Sequence, residues 1–117
     1  SASLMNNASR PVYLRLRDEI CVGILEGRYA EGAMLPSVRA FAAEQGANPL
    51  TVAKAYQQFQ DEGFVTVQRG IGMFVAAGAV AALRSRERES FLTDEWPAII
   101  QRMRLLGLKL KDLTELA

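Results

Sequence analysis

Histidine does not occur anywhere in the 117 residues. That removes imidazole acid–base catalysis and histidine metal ligation together. Cysteine occurs once, as Cys21, so neither an intramolecular disulfide nor a cysteine-rich zinc site can form. No phosphate-cradling motif of the Walker type is present. No apolar run approaches the roughly 18–20 residues that a membrane-spanning helix needs, and no signal-peptide layout precedes Pro11. The chain thus offers no catalytic set, no metal ligands and no cofactor motif, and the default expectation is a cytoplasmic protein without membrane attachment. A strong charge of one sign is also missing. Residues 1–76 carry seven Lys/Arg against seven Asp/Glu, and the remainder carries seven against six, for a net +1. Any case for a polyanionic partner must therefore rest on where the charges sit.

What is present is strong periodicity and sharp punctuation. Tyr13, Leu16, Ile20 and Ile24 form one apolar stripe, predicting a helix from about Pro11 to Glu26 that stops at Gly27. Gly32 and Pro36 bracket an extended link through Met34 and Leu35. Ser37 caps a second helix whose Val38, Phe41 and Ala42 face inward and which ends at Gly46. Asn48 and Pro49 open a third helix, running to about Glu62, with Val52, Ala55, Tyr56 and Phe59 inward and Leu50, Lys54, Gln57 and Asp61 outward. Phe64–Gln68 and Met73–Val75 then read as strands joined by the glycine-rich turn Arg69-Gly70-Ile71-Gly72.

Three helices and a hairpin give a mainly α fold with a small β-hairpin: a winged helix-turn-helix domain over residues 10–77. Residues 1–9 read as a flexible N-terminal lead. Residues 78–117 read as a short two-helix C-terminal dimerisation region. In that region Leu92, Trp96, Ile99, Met103 and Leu106 repeat at heptad-like spacing, with Ile100 beside them. So short a segment cannot easily bury this seam alone, which favours a homodimer over packing onto the first helix. Pro97 predicts a kink or restart near Thr93-Asp94, and Gly107 predicts a stop before a final short helix carrying Leu110, Leu113 and Leu116.

The second and third helices carry the candidate contacts. A helix opened by asparagine and proline, with polar groups on its outer face, suits end-first insertion into the major groove. Arg39 can bond a phosphate or a guanine edge with two parallel donors; the plain alternative is a solvated arginine. Thr51 can donate to a phosphate or base, Lys54 can neutralise a phosphate or read guanine, and Leu50 can meet a thymine methyl or simply stand exposed. Asn48 caps its helix whether or not it also touches a base. Arg69 and Gly70 form a cationic wing tip suited to a narrow minor groove, although the glycine alone would explain a tight turn.

Taken together, Pro11-Val12-Tyr13, Gly27-Arg28, Leu35-Pro36-Ser37-Val38-Arg39, Asn48-Pro49 with Thr51-Val52, Ala55-Tyr56, Glu62-Gly63 and Arg69-Gly70-Ile71-Gly72-Met73-Phe74-Val75 resemble the GntR family of bacterial transcription regulators. The short tail and Asn48-Pro49 resemble its YtrA-like subgroup. The resemblance implies a homodimer that binds a roughly palindromic double-stranded DNA operator, usually as a repressor. It also implies DNA contacts at Ser37, Arg39, Asn48, Thr51, Lys54 and Gly70, with Pro49 and Leu50 on the same edge. Leu50 stands where a polar residue is common, and Met73 where threonine is frequent. The large effector domains of other subgroups have no room here, and whether a small-molecule effector exists is left open. The competing reading is a winged-helix protein–protein interaction module, supported by the neutral N-terminal segment.

Overall fold

The computed structural model describes residues 10–117, and the lead expected over residues 1–9 lies outside them. The chain divides into two compact units, one extending through Leu83 and the other spanning Arg84–Ala117.

In the first unit, α1 (Val12–Glu26) starts after Pro11 and ends at Gly27, whose φ of 90° is the left-handed conformation that closes a helix. Arg10 folds back with two 3.2 Å bonds to the buried carboxylate of Asp18. Ser37 caps α2 (Val38–Gln45), which Gly46 terminates, and Asn48 caps α3 (Pro49–Asp61). Strands β1 (Val65–Gln68) and β2 (Gly72–Val75) pair antiparallel, with Val65 opposite Val75 and Gln68 opposite Gly72. The link through Met34 proves to be more than a connection. Gly32 N–H donates to Val75 O (2.8 Å), Val75 N–H to Ala33 O (2.9 Å) and Leu35 N–H to Met73 O (2.8 Å), so it lies along the outer edge of β2 as a third strand-like element. A sheet edge that would otherwise expose unpaired backbone groups is thereby covered.

The core joins Leu16, Ile20 and Ile24 of α1 to Phe41, Val52, Ala55, Tyr56, Phe59, Phe64, Val65 and Val75. Each large side chain buried there contributes about 1.5–3 kcal/mol. Tyr13, at the open end of the α1 stripe, is only half-buried. Gly23 sits inside α1 for a steric reason: a Cβ there would lie 2.4 Å from Cε2 of Tyr29.

Helix α4 (Ala79–Ser90) begins inside this unit. The composition shift after Ala77 reads as a domain boundary, but Ala79 and Leu83 lie one turn apart and bury in the core, so the first unit extends beyond it. Glu31 fastens the start of α4, accepting from Gly78 N–H (2.8 Å) and Val80 N–H (3.1 Å). These two bonds hold its carboxyl below the ordinary carboxylate range.

In the second unit, a π-helical turn at Phe91–Glu95 leads into α5 (Trp96–Leu105), and α6 (Leu110–Thr114) follows. The turn sits where the restart is expected. Pro97 cannot donate to a carbonyl one turn back and its ring crowds that carbonyl, so the backbone widens there. Gly107, with φ 68°, ends α5. The rings of Phe91 and Trp96 stand 6.4 Å apart.

Two outcomes test this account. Gly23→Ala should lower stability by about 1–2 kcal/mol in urea unfolding, because overpacking outweighs the gain in helix propensity. With Tyr29→Ala already present, the same change should stabilise. Glu31→Ala should abolish amide-exchange protection at Gly78 and Val80 while leaving Phe59 protected. In the unaltered protein that protection, present at neutral pH, should fade only in acid below the ordinary carboxylate pKa of 4.5, because the folded carboxyl holds its proton less tightly than the unfolded one.

Candidate nucleic-acid interface

The start of α2, the turn, the start of α3 and the wing all belong to the first unit. Ser37 Oγ accepts from Ala40 N–H at 3.0 Å, which fixes the entry to α2 and leaves the hydroxyl proton available to donate outward. Gly46 turns the chain in the left-handed conformation, and Ala47 N–H returns to Ala42 O at 2.9 Å. Asn48 Oδ1 then accepts from Leu50 N–H at 2.8 Å. The asparagine's amide nitrogen keeps its donors, so capping and outward bonding do not compete. Tyr56 ties the two helices together by donating from its hydroxyl to Pro36 O at 2.7 Å, and burial pushes that phenol well above its ordinary range.

Asn48, Pro49, Leu50 and Lys54 are exposed, Leu50 at 80% of its full area, while Thr51 is half-buried. Arg39 stands exposed in the first turn of α2. A cation there faces the positive end of the helix dipole, a placement that disfavours it unless an anion is close. At the wing tip Ile71 N–H donates to Gln68 O (3.0 Å), and Gly70 takes φ 75°, leaving Arg69 and Gly70 exposed. Ser37 and the wing are brought together: an apolar groove of about 340 Å³ is lined by Met34, Ser37, Val38, Tyr56, Val67 and Ile71, among others. Lys54 is drawn elsewhere, its Nζ resting 4.0 Å from the centre of the Tyr13 ring on α1. Periodicity assigns Tyr13 to the apolar stripe, so its role beside Lys54 is not evident from spacing.

The charges also become legible. Arg10 pairs with Asp18, Arg17 with Glu62 and Arg28 with Glu26. Among the described residues, Arg39, Lys54 and Arg69 form no ion pair with a carboxylate. A formally neutral segment thus keeps cations without a carboxylate partner in the first turn of α2, in the second turn of α3 and in the wing. Within the second unit, Leu92, Ile99 and Leu106 are exposed, and Trp96 and Ile100 are half-buried. Met103 differs from the rest of that seam in being buried, at 5% exposure in the single chain.

Comparison with known proteins agrees with this geometry. Residues 9–75, more than half the chain, match the family described as bacterial regulatory proteins, gntR family. The HTH-type transcriptional repressor YtrA of Bacillus subtilis is 30% identical over 108 residues, covering 92% of this chain and 82% of that one. A crystal structure of a GntR-family regulator from Bacteroides thetaiotaomicron superposes with a TM-score of 0.68 at 35% identity, over 90% of this chain and 91% of that one. The DNA-binding domain of AraR in complex with an operator matches with a TM-score of 0.55 at 25% identity, over 57% of this chain and 81% of that one. These findings set aside the protein-binding module as the leading role of the winged helix. The chain belongs to the GntR family of DNA-binding transcription regulators, in its YtrA-like branch.

Proposed function

We propose that this protein is a homodimeric repressor that docks two copies of α3 into the half-sites of a palindromic DNA operator. The observation that carries the reading is the exposed, firmly capped start of α3, with Leu50 projecting and Lys54 on the same outer face. In each protomer Asn48, Pro49, Leu50, Thr51 and Lys54 meet the major groove, Ser37 and Arg39 grip the backbone or a guanine edge from α2, and Arg69 and Gly70 enter the neighbouring minor groove. Half-sites then lie about one helical turn, ~10 bp, or a small multiple apart. Repression is supported by likeness to YtrA, named a repressor, and docking by likeness to AraR bound to its operator.

The C-terminal unit supplies the dimer contact in this reading. Leu92, Ile99 and Leu106 are exposed, as are Leu105 and Leu110. Such apolar surface on a short helical segment favours burial against a second copy. Trp96, Ile100 and the buried Met103 complete the seam.

DNA selected from a random pool by the purified protein supplies the operator. Arg39→Ala should weaken binding to it by about 1–3 kcal/mol at fixed salt, the scale of one bidentate contact. Unchanged affinity in an anisotropy titration would exclude that contact. Paired Leu92→Glu and Leu106→Glu changes place four carboxylates at a self-complementary interface, so sedimentation analysis should find a monomer. An intact dimer would move the interface elsewhere.

A further inference from the structure

We infer that Tyr13 is a positioning residue for DNA binding: its ring holds the Lys54 ammonium at the edge of α3 so that the charge meets a phosphate without first having to be ordered. This deepens the operator-binding reading above and rests on it.

The geometry is specific. Tyr13 lies in the first turn of α1, half-buried, and the Lys54 Nζ sits 4.0 Å from its ring centre, well within the ~6 Å over which a cation is attracted to an aromatic face. Lys54 remains exposed and joins no carboxylate among the described residues. An ammonium has three N–H donors, and a ring engages it from one side only, so donors remain for a phosphate oxygen. A carboxylate partner would do the opposite, cancelling the charge and competing with the phosphate. The aromatic ring restrains lysine without neutralising it. Lysine is among the side chains that lose most freedom on being fixed, so fixing it beforehand favours association. The pair also bridges α1 to α3, giving the lysine a fixed place relative to the helix that carries Leu50 and Thr51.

The test combines Tyr13→Leu, Tyr13→Phe and Lys54→Gln with the double variant Tyr13→Leu/Lys54→Gln in the full chain. Anisotropy titrations against the selected operator would be run over a series of salt concentrations. Lys54→Gln should weaken binding and flatten the log K against log salt plot by about 0.9, one phosphate's worth. Tyr13→Leu should weaken binding roughly 2–5-fold in the unaltered background, the range of an exposed cation–π contact. It should have no further effect once Lys54 is glutamine. Tyr13→Phe, which keeps the ring, should bind as the unaltered protein does. In the free protein, the Lys54 ε-methylene protons should resonate upfield and lose that shift in Tyr13→Leu, a readout that a general loss of stability would not produce. Equal weakening by Tyr13→Leu in both backgrounds would overturn the proposal by giving Tyr13 its own contact. Loss in Tyr13→Phe would overturn it in favour of the hydroxyl, and an inert Lys54→Gln would leave nothing to position. Failure of the unaltered protein to select any DNA would instead remove the operator reading, and the proposal with it, before any variant was compared.

Discussion

Helix α3 can present a firm tip because its opposite side is immobilised by burial. Val52, Ala55, Tyr56 and Phe59 recur at helical spacing and bury almost completely against α1, α2 and the hairpin. That row sets the rotation of the helix about its axis, and the rotation decides which residues stand outward. Had the apolar row been displaced by one position, Leu50 and Lys54 would have turned by about 100° from their present directions. The Tyr56 bond to Pro36 extends the same constraint to the entry of α2, so both helix starts are referenced to one buried side chain. Arg39 inherits its position from this packing, and Asn48 adds to it only its own cap bond from Leu50 N–H.

Charge follows the same division of labour. Net charge suggests that the domain has little attraction for a polyanion, yet net charge counts residues without regard to pairing. Once Arg10, Arg17 and Arg28 are matched with carboxylates and Glu31 is engaged at the start of α4, Arg39, Lys54 and Arg69 are left without a carboxylate partner, in the first turn of α2, on the outer side of α3 and in the wing. Fields at distances beyond about 8–10 Å are screened at physiological salt, so the local arrangement matters more than the total. A domain of this kind gains little from long-range steering and depends on close, geometrically defined contacts.

The parts of this arrangement that sequence reveals are those governed by neighbours in the chain. Apolar spacing locates α1, α2 and α3; Ser37, Asn48, Gly27 and Gly46 mark their ends; Arg69 to Gly72 marks the hairpin. Pro97 announces the irregular backbone ahead of α5 because its effect reaches only one turn. What stays hidden depends on residues distant in the chain. Nothing local indicates that Gly32–Leu35 pairs with β2, that Glu31 caps α4, or that Lys54 meets Tyr13. Gly23 belongs to the same class, since inside a helix it reads as a mild fault until the Tyr29 ring is seen filling the missing Cβ's place. Near Ala77 the composition changes, while Ala79 and Leu83 bury in the first core, a long-range relation that composition does not carry.

The local rules broken at the candidate interface also bear on its role. Leu50 exposes 80% of its surface, and Arg39 occupies the end of α2 that the helix dipole makes positive. Neither placement stabilises the isolated domain. Such conflicts between local preference and structure concentrate where a surface is shaped for something outside the chain. An anion near the start of α2 would turn the cost of Arg39 into an attraction, and an apolar group in the groove would do the same for Leu50. DNA supplies both, the phosphate and the thymine methyl, on a single face. Ile71 in the wing turn and Met34 beside it also stand exposed, lining the groove between the wing and α2 with apolar surface that a phosphate contact does not account for.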